Sequence, residues 1–220
     1  NDTMTHFWNS EPWLTYEQAY GDQIGTRAKL LADANWSTRV LDLTQDEATL
    51  WRGVRGSYHS IINRFQRDPD FRLEETMSRV LFCGSCWAMQ KRLEGGESRP
   101  RASWVVQGKW LQSGVGRCFI AGRYTSTAWN VTAFAYFIVW GDWAYYGFSK
   151  TEEQNAHHAL MWHAIKTLKA SGVRWLELGW QGEAQTAKGK DIEFFKRGWG
   201  GRDVPVVMSG CAERIDRWTA

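Results

Sequence analysis

The stretch Asn155–Gly201, NAHHALMWHAIKTLKASGVRWLELGWQGEAQTAKGKDIEFFKRGWGG, holds the clearest alternation of elements in the chain. Asn155 to Ser171 places Met161, Ala164, Ile165 and Leu168 at helical period and stops at Gly172. Val173 to Leu178 is a short apolar run closed by Gly179, the pattern of a buried strand. After a polar loop, Asp191 opens a short helix through Phe194, Phe195 and Lys196 to Gly198. Val204 to Met208 reads as a last strand.

Upstream, Arg117 to Tyr124, Trp129 to Trp140 and Trp143 to Phe148 read as strands. Gly141-Asp142 joins the last two, a two-residue link of hairpin type. Ser37 to Leu43 alternates as a short strand. Thr44 and Glu47 form a capping box for a helix carrying Leu50, Trp51, Val54, Tyr58, Ile61, Ile62 and Phe65. Its other face holds Arg52, Arg55, Arg64 and Arg67, either a solvated face or a contact for RNA phosphates. A second helix is expected from about Leu73 to Leu93, ending at Gly95-Gly96. Strand, helices, an antiparallel meander, then helix-strand-helix-strand is an α+β order. It predicts one mostly antiparallel sheet flanked by helices; a doubly wound parallel sheet needs more βαβ units. Residues 1–49 are expected as an N-terminal segment packed on the core, and 50–220 as a single domain.

The 220 residues are 43% hydrophobic and 23% charged, the balance of a globular protein and not of a disordered chain, collagen or a coiled coil. A net charge of +3 gives no strong overall field for nucleic acid or membrane. No run approaches the roughly 20 apolar residues of a membrane helix. Four cysteines, at 83, 86, 118 and 211, are too few for a disulfide scaffold, so a reduced, cytoplasmic protein is expected. Cys83-Gly-Ser-Cys86 has redox spacing but falls in a helical pattern, which favours buried thiols. His157, His158 and His163 share a helix without the i, i+4 spacing of a metal site, so no metal is expected. Fifteen tryptophans, most of them in the strand-rich half, are expected mainly as core or sheet-face residues, with a few exposed ones able to stack on sugar or nucleobase rings.

The run LMWHAIKTLKASG, the WLELG strand and IEFFKRGWGG together resemble the C-terminal half of the FemAB/FemX-like aminoacyltransferases, whose domains have the GNAT N-acyltransferase fold. Phe195 to Gly200 is similar to that family's phenylalanine-lysine-arginine-glycine-aromatic-glycine element. SRPRASW (98–104), WLQSGVGRCFIAG (110–122) and WAYYGFS (143–149) are similar in order and spacing. The resemblance covers about Leu50 to Pro205 and is densest over the last 50 of these residues. It implies a GNAT-like sheet and amide-bond formation. An amine of a small-molecule or peptide acceptor, often a peptidoglycan precursor, attacks an aminoacyl ester of transfer RNA. Known members usually carry two such domains; 220 residues have room for one.

Several residues carry that chemistry as candidates. Lys196 and Arg197, with glycines around them, suit a phosphate or an ester carbonyl; the alternative is a solvated pair at a helix end. The resemblance implies that Lys196 contacts the acyl donor and carries Phe195 with it as a binding residue. Arg99 and Arg101 flank Pro100. Either suits a phosphate through its bidentate fork, or is an ordinary loop charge, and the resemblance ranks Arg99 first. Tyr145 and Tyr146 point to opposite faces of one strand; one faces core, and the resemblance implies that the other orients amine or acyl group. Glu177 lies within its strand as a general base or as a structural partner for an arginine. Trp180 and Gln181 follow that strand's carboxyl end, where ligands gather in α/β sheets.

The donor is read from one junction. GNAT enzymes that use acetyl-CoA hold its pyrophosphate in a glycine-rich turn between the fourth strand and the next helix. Here that junction, FSKTEEQNA (148–156), has no glycine and two glutamates, against a pyrophosphate nest. Gly114-Val-Gly116-Arg117 precedes a strand and is no phosphate loop. The expectation is therefore an aminoacyl-tRNA-dependent N-acyltransferase without resident cofactor. The alternatives are an acyl-CoA or acyl-carrier-protein-dependent GNAT enzyme and a non-catalytic binding domain.

Overall fold

The computed structural model describes residues 37–124, 129–181 and 186–205. Most of the expected N-terminal segment (1–36), the loop 182–185 and positions 206–208 of the expected last strand lie outside the described residues. The elements are β1 (Ser37–Asp42), α1 (Glu47–Gly53), α2 (Gly56–Arg67), β2 (Phe71–Thr76), α3 (Arg79–Leu81) and α4 (Trp87–Glu94). Then come α5 (Arg101–Ser113), β3 (Gly116–Tyr124), β4 (Trp129–Trp140), β5 (Trp143–Thr151), α6 (Ala156–Ala170), β6 (Trp175–Gln181), α7 (Ala187–Arg197) and β7 (Arg202–Pro205). A π-helical turn, Phe82–Cys86, joins α3 to α4.

The seven strands form one sheet in the order β2-β3-β4-β5-β6-β1-β7, antiparallel except for β5 against β6. This is the mostly antiparallel α+β sheet expected from the element order. Each sheet face has its own core. On one, Leu160, Met161, Ile165 and Leu168 of α6 pack with Phe119, Phe137, Leu176 and Leu178. On the other, Phe82, Trp104, Trp110 and Leu111 pack with Ile120, Phe134 and Tyr136. Trp104, Trp110, Trp162 and Trp199 are buried, while Trp51, Trp87, Trp129, Trp140, Trp143 and Trp175 are half-buried at the margins of the two cores and on the strands.

The structure corrects several local readings. β1 lies inside the sheet, between β6 and β7. Asp46, not Thr44, caps α1 by accepting from the Thr49 amide at 2.8 Å, because Thr44 is held by the Asp42 carboxylate. The expected helix through Phe65 breaks at Val54 and Arg55, which are extended. There the Arg55 amide donates to the Gly198 carbonyl at 2.8 Å, a tertiary contact that periodicity cannot show. Leu73 to Thr76, expected at the start of a helix, belong instead to the edge strand β2, paired along β3 from Phe71↔Arg123 to Thr76↔Cys118. The helix resumes after Ser78, whose hydroxyl caps it. Arg101, offered as an alternative loop charge, is the first residue of the helix α5. The helix assigned to Asp191 begins at Ala187, capped by Thr186.

Candidate functional site

The chemistry-bearing residues gather where the two parallel strands part. β5 and β6 pair at Trp143↔Trp175, Ala144↔Leu176 and Tyr145↔Glu177. Beyond that point β5 runs on to Thr151 and β6 to Gln181 without pairing to each other. A wedge opens at their carboxyl ends, the place in a sheet where ligands bind. β5 is also bulged: Phe137 pairs with Tyr146 and Tyr136 with Phe148, so Gly147 has no partner across β4. The extra residue resets the alternation of faces. Tyr145 and Phe148 consequently share the α5 face, while Tyr146 and Ser149 share the α6 face.

On the α5 face, Glu177 stands opposite Tyr145 across the last parallel pair. Thr38 on β1 donates to Glu177 Oε1 at 2.8 Å. Burial raises the Glu177 carboxyl above its usual range, while the Thr38 hydroxyl and the Lys196 charge pull the other way. Lys196, half-buried near the end of α7, is thus brought within electrostatic reach of Glu177. Tyr145 lies across Gly179, whose φ of +76° is accessible to glycine, and a Cβ there would meet Tyr145 Oη at 3.0 Å. Arg99 is stacked on Phe148, its guanidinium carbon 3.6 Å from the ring centroid, and on Trp104 at 4.5 Å. It also donates to Gln107 Oε1 at 3.3 Å. Arg99 is thereby fixed beside the bulge of β5.

On the α6 face, Tyr146 Oη hydrogen-bonds Ser149 Oγ and lies 2.9 Å from His157 Nε2. Ser149 Oγ is 3.3 Å from the same nitrogen. Burial holds the His157 imidazole down at about 3, aided by neighbouring His158, and pushes the Tyr146 phenol well above its usual range. Phe195 of α7 covers this cluster, its ring 5.1 Å from that of His157. Both tyrosines therefore border the wedge, one from each face. Ser149, His157 and Thr38 were not read from sequence as site residues. The only signal for His157 was its place in the first turn of the helix after β5.

Of the remaining candidates, Trp180 and Gln181 stand on the parted carboxyl end of β6, and Arg197 and Arg101 lie elsewhere. Arg197 is exposed and paired with Glu193 at 2.6 Å and Asp203 at 3.9 Å. Arg101 opens α5, donates to the Cys83 carbonyl and sits over the Trp87 ring at 4.1 Å. Trp180 and Gln181 are placed by their backbones, opposite Thr38 and Ser37 on β1; their side chains lie outside the described residues. Cys86 and Cys118 are buried free thiols and Cys83 is a half-buried one. Among the described residues no cluster of His, Cys, Asp and Glu is arranged to hold a metal. No described helix is long and apolar enough to cross a membrane.

The junction between β5 and α6 is occupied by the chain's own groups. Glu152 pairs with Arg92. Glu153 accepts from Arg123 at 2.6 Å, and Arg123 also reaches Asp68 at 2.7 Å. The Ala156 amide donates to the Glu153 carbonyl and the His158 amide to that of Asn155, so two first-turn donors are already used.

No family model matches the sequence, and no curated protein does. Solved structures do. FemX aligns with a TM-score of 0.65 at 9% identity, over 76% of this chain and 59% of that one. The C-terminal domain of a putative lysylphosphatidylglycerol synthetase from Agrobacterium fabrum aligns at 0.55 and 13% identity, over 77% and 58%. A conserved protein of unknown function from Bacteroides thetaiotaomicron aligns at 0.55 and 11%, over 81% and 64%. The chain spans less than two thirds of the length of each. It has the GNAT-like fold of FemX, the fold that the sequence resemblance implies.

Proposed function

We propose that this domain is an N-acyltransferase of the GNAT type, and that it transfers an aminoacyl group from aminoacyl-tRNA to the amine of a small-molecule or peptide acceptor. The observation that carries the reading is the wedge between β5 and β6, with Tyr145, Glu177 and Lys196 gathered at it. The amine nitrogen forms a bond to the ester carbonyl carbon, and the bond from that carbon to the transfer RNA ribose oxygen breaks. The proton lost by the amine ends on the departing hydroxyl. In this reading Glu177 takes it in transit, and the Lys196 ammonium offsets negative charge on the carbonyl oxygen. An aminoacyl ester is already activated, so holding the partners together supplies much of the rate. Arg99, locked between two aromatic rings, is assigned to a phosphate of the acceptor.

The tRNA donor is favoured over coenzyme A by the β5–α6 junction, where paired carboxylates stand in place of a glycine nest. A donor screen tests this. Aminoacyl-tRNA is expected to support amide formation and acetyl-CoA to fail, and Lys196→Ala to lower kcat at least about 100-fold at an unchanged melting temperature. Turnover with acetyl-CoA alone would reassign the donor, and a fully active Lys196→Ala enzyme would remove that residue's role.

A further inference from the structure

The neutral cluster on the α6 face has a direction. His157 is 8% exposed, and its Nδ1 is buried with no hydrogen-bond partner. A neutral imidazole carries one proton, on either nitrogen. A buried orphan N–H is rarer in folded proteins than a buried bare acceptor, which places the proton on Nε2. Nε2–H then donates to Tyr146 Oη at 2.9 Å. With its oxygen so engaged, the Tyr146 hydroxyl donates to Ser149 Oγ, and the Ser149 hydroxyl proton is the one the cluster does not use. Ser149 is half-buried and stands on the stretch of β5 that has parted from β6.

We propose that Ser149 is a substrate-contacting donor of the transfer site, reading a carbonyl oxygen of the bound substrate, and that His157 is the positioning residue that aims it through Tyr146. This rests on the acyl-transfer reading above. An uncharged hydroxyl suits an ester or amide carbonyl and gives no electrostatic preference for a carboxylate or phosphate. The two titratable groups beside His157 are also neutral: burial pushes the Tyr146 phenol well above its usual range and holds His158 below its own, so the cluster remains uncharged at neutral pH. Phe195, from the motif that carries Lys196, packs its ring against the His157 imidazole. One short segment of α7 thus serves both faces of the wedge.

Two measurements on the whole chain test this. Ring nitrogen NMR on histidine-labelled protein, with His157→Gln to assign the signal, is expected to show a neutral Nε2–H ring from pH 6 to 8. An Nδ1–H tautomer, or a protonated ring at pH 6, overturns the proposal whether or not an acyl donor is known. In aminoacyl transfer, Ser149→Ala and His157→Leu are expected to lower kcat about 10-fold with KM for the acceptor unchanged. Ser149→Thr restores the hydroxyl and His157→Gln an N–H at the Nε2 position, so each regains most of the rate. Equal kcat for Ser149→Ala and the parent chain overturns the proposal. If no donor is turned over, the acyl-transfer reading falls, and the tautomer still decides which way the cluster points.

Discussion

At the scale of single residues, the site is set by two groups held away from their ordinary chemistry. Glu177 is half-buried beside a threonine hydroxyl, and desolvation holds its carboxyl above its usual range. A base must be ionised, so kcat/KM is expected to climb with pH through that raised value, and Glu177→Gln to abolish the climb. Stability has the opposite sign. A raised folded-state pKa favours the protonated form, so its contribution is full below 4.5 and is lost as pH rises through the folded value. Glu177→Gln is therefore expected to melt higher than the parent at pH 8 and to converge with it below pH 4.5. Convergence at every pH would mean that the carboxyl is not desolvated. His157 is the second such group, kept neutral so that it can orient a hydroxyl and not exchange a proton. Glu177 was legible in sequence as a candidate, a charge inside a strand. That of His157 was not, because its partners come from β5 and its cover from α7.

At the scale of elements, the decisive feature is what β5 does after Tyr145. The hairpin of β4 and β5 was readable from aromatic and β-branched runs around Gly141-Asp142, and its register bears this out with Trp140↔Trp143 as the last pair. The bulge at Gly147 was not readable, because a bulge is a relation between two strands. It alone makes Tyr146 and Ser149 neighbours on one face. Two substitutions separate the elements that hold the sheet from those that shape the wedge. Leu168→Ala, at a fully buried position of α6, is expected to cost about 2–5 kcal/mol of stability and to leave kcat unchanged. Gly179→Ala forces a side chain into left-handed backbone against Tyr145, costing only about 1–2 kcal/mol but lowering kcat. Denaturant unfolding paired with initial rates measures both; the reverse ranking in kcat would move the site away from β6.

At the scale of the whole molecule, the net charge of +3 gives little field, so the proposed tRNA donor would have to be met by a local patch. Arg64 and Arg67 project from α2 and are exposed, as is Arg52 on α1. The break at Val54 divides what was read as one arginine face into two. Reversing Arg64 and Arg67 to Glu is expected to weaken charged tRNA binding about 10-fold or more and to lower its salt dependence by about 2. An unchanged slope would place the RNA on another surface. By itself the sequence determined the class of fold, the strands of the meander, the α6 core stripe and the motif around Lys196. Each of those is written in local periodicity or in contiguous residues. Only the tertiary structure decided that residues 71–76 pair with β3, since edge pairing along β3 overrides the high helix propensity of Arg72, Leu73, Glu74 and Glu75. Only it brought Thr38, Tyr145, Glu177 and Lys196 to one place, because they come from four elements that meet where the parallel pair parts.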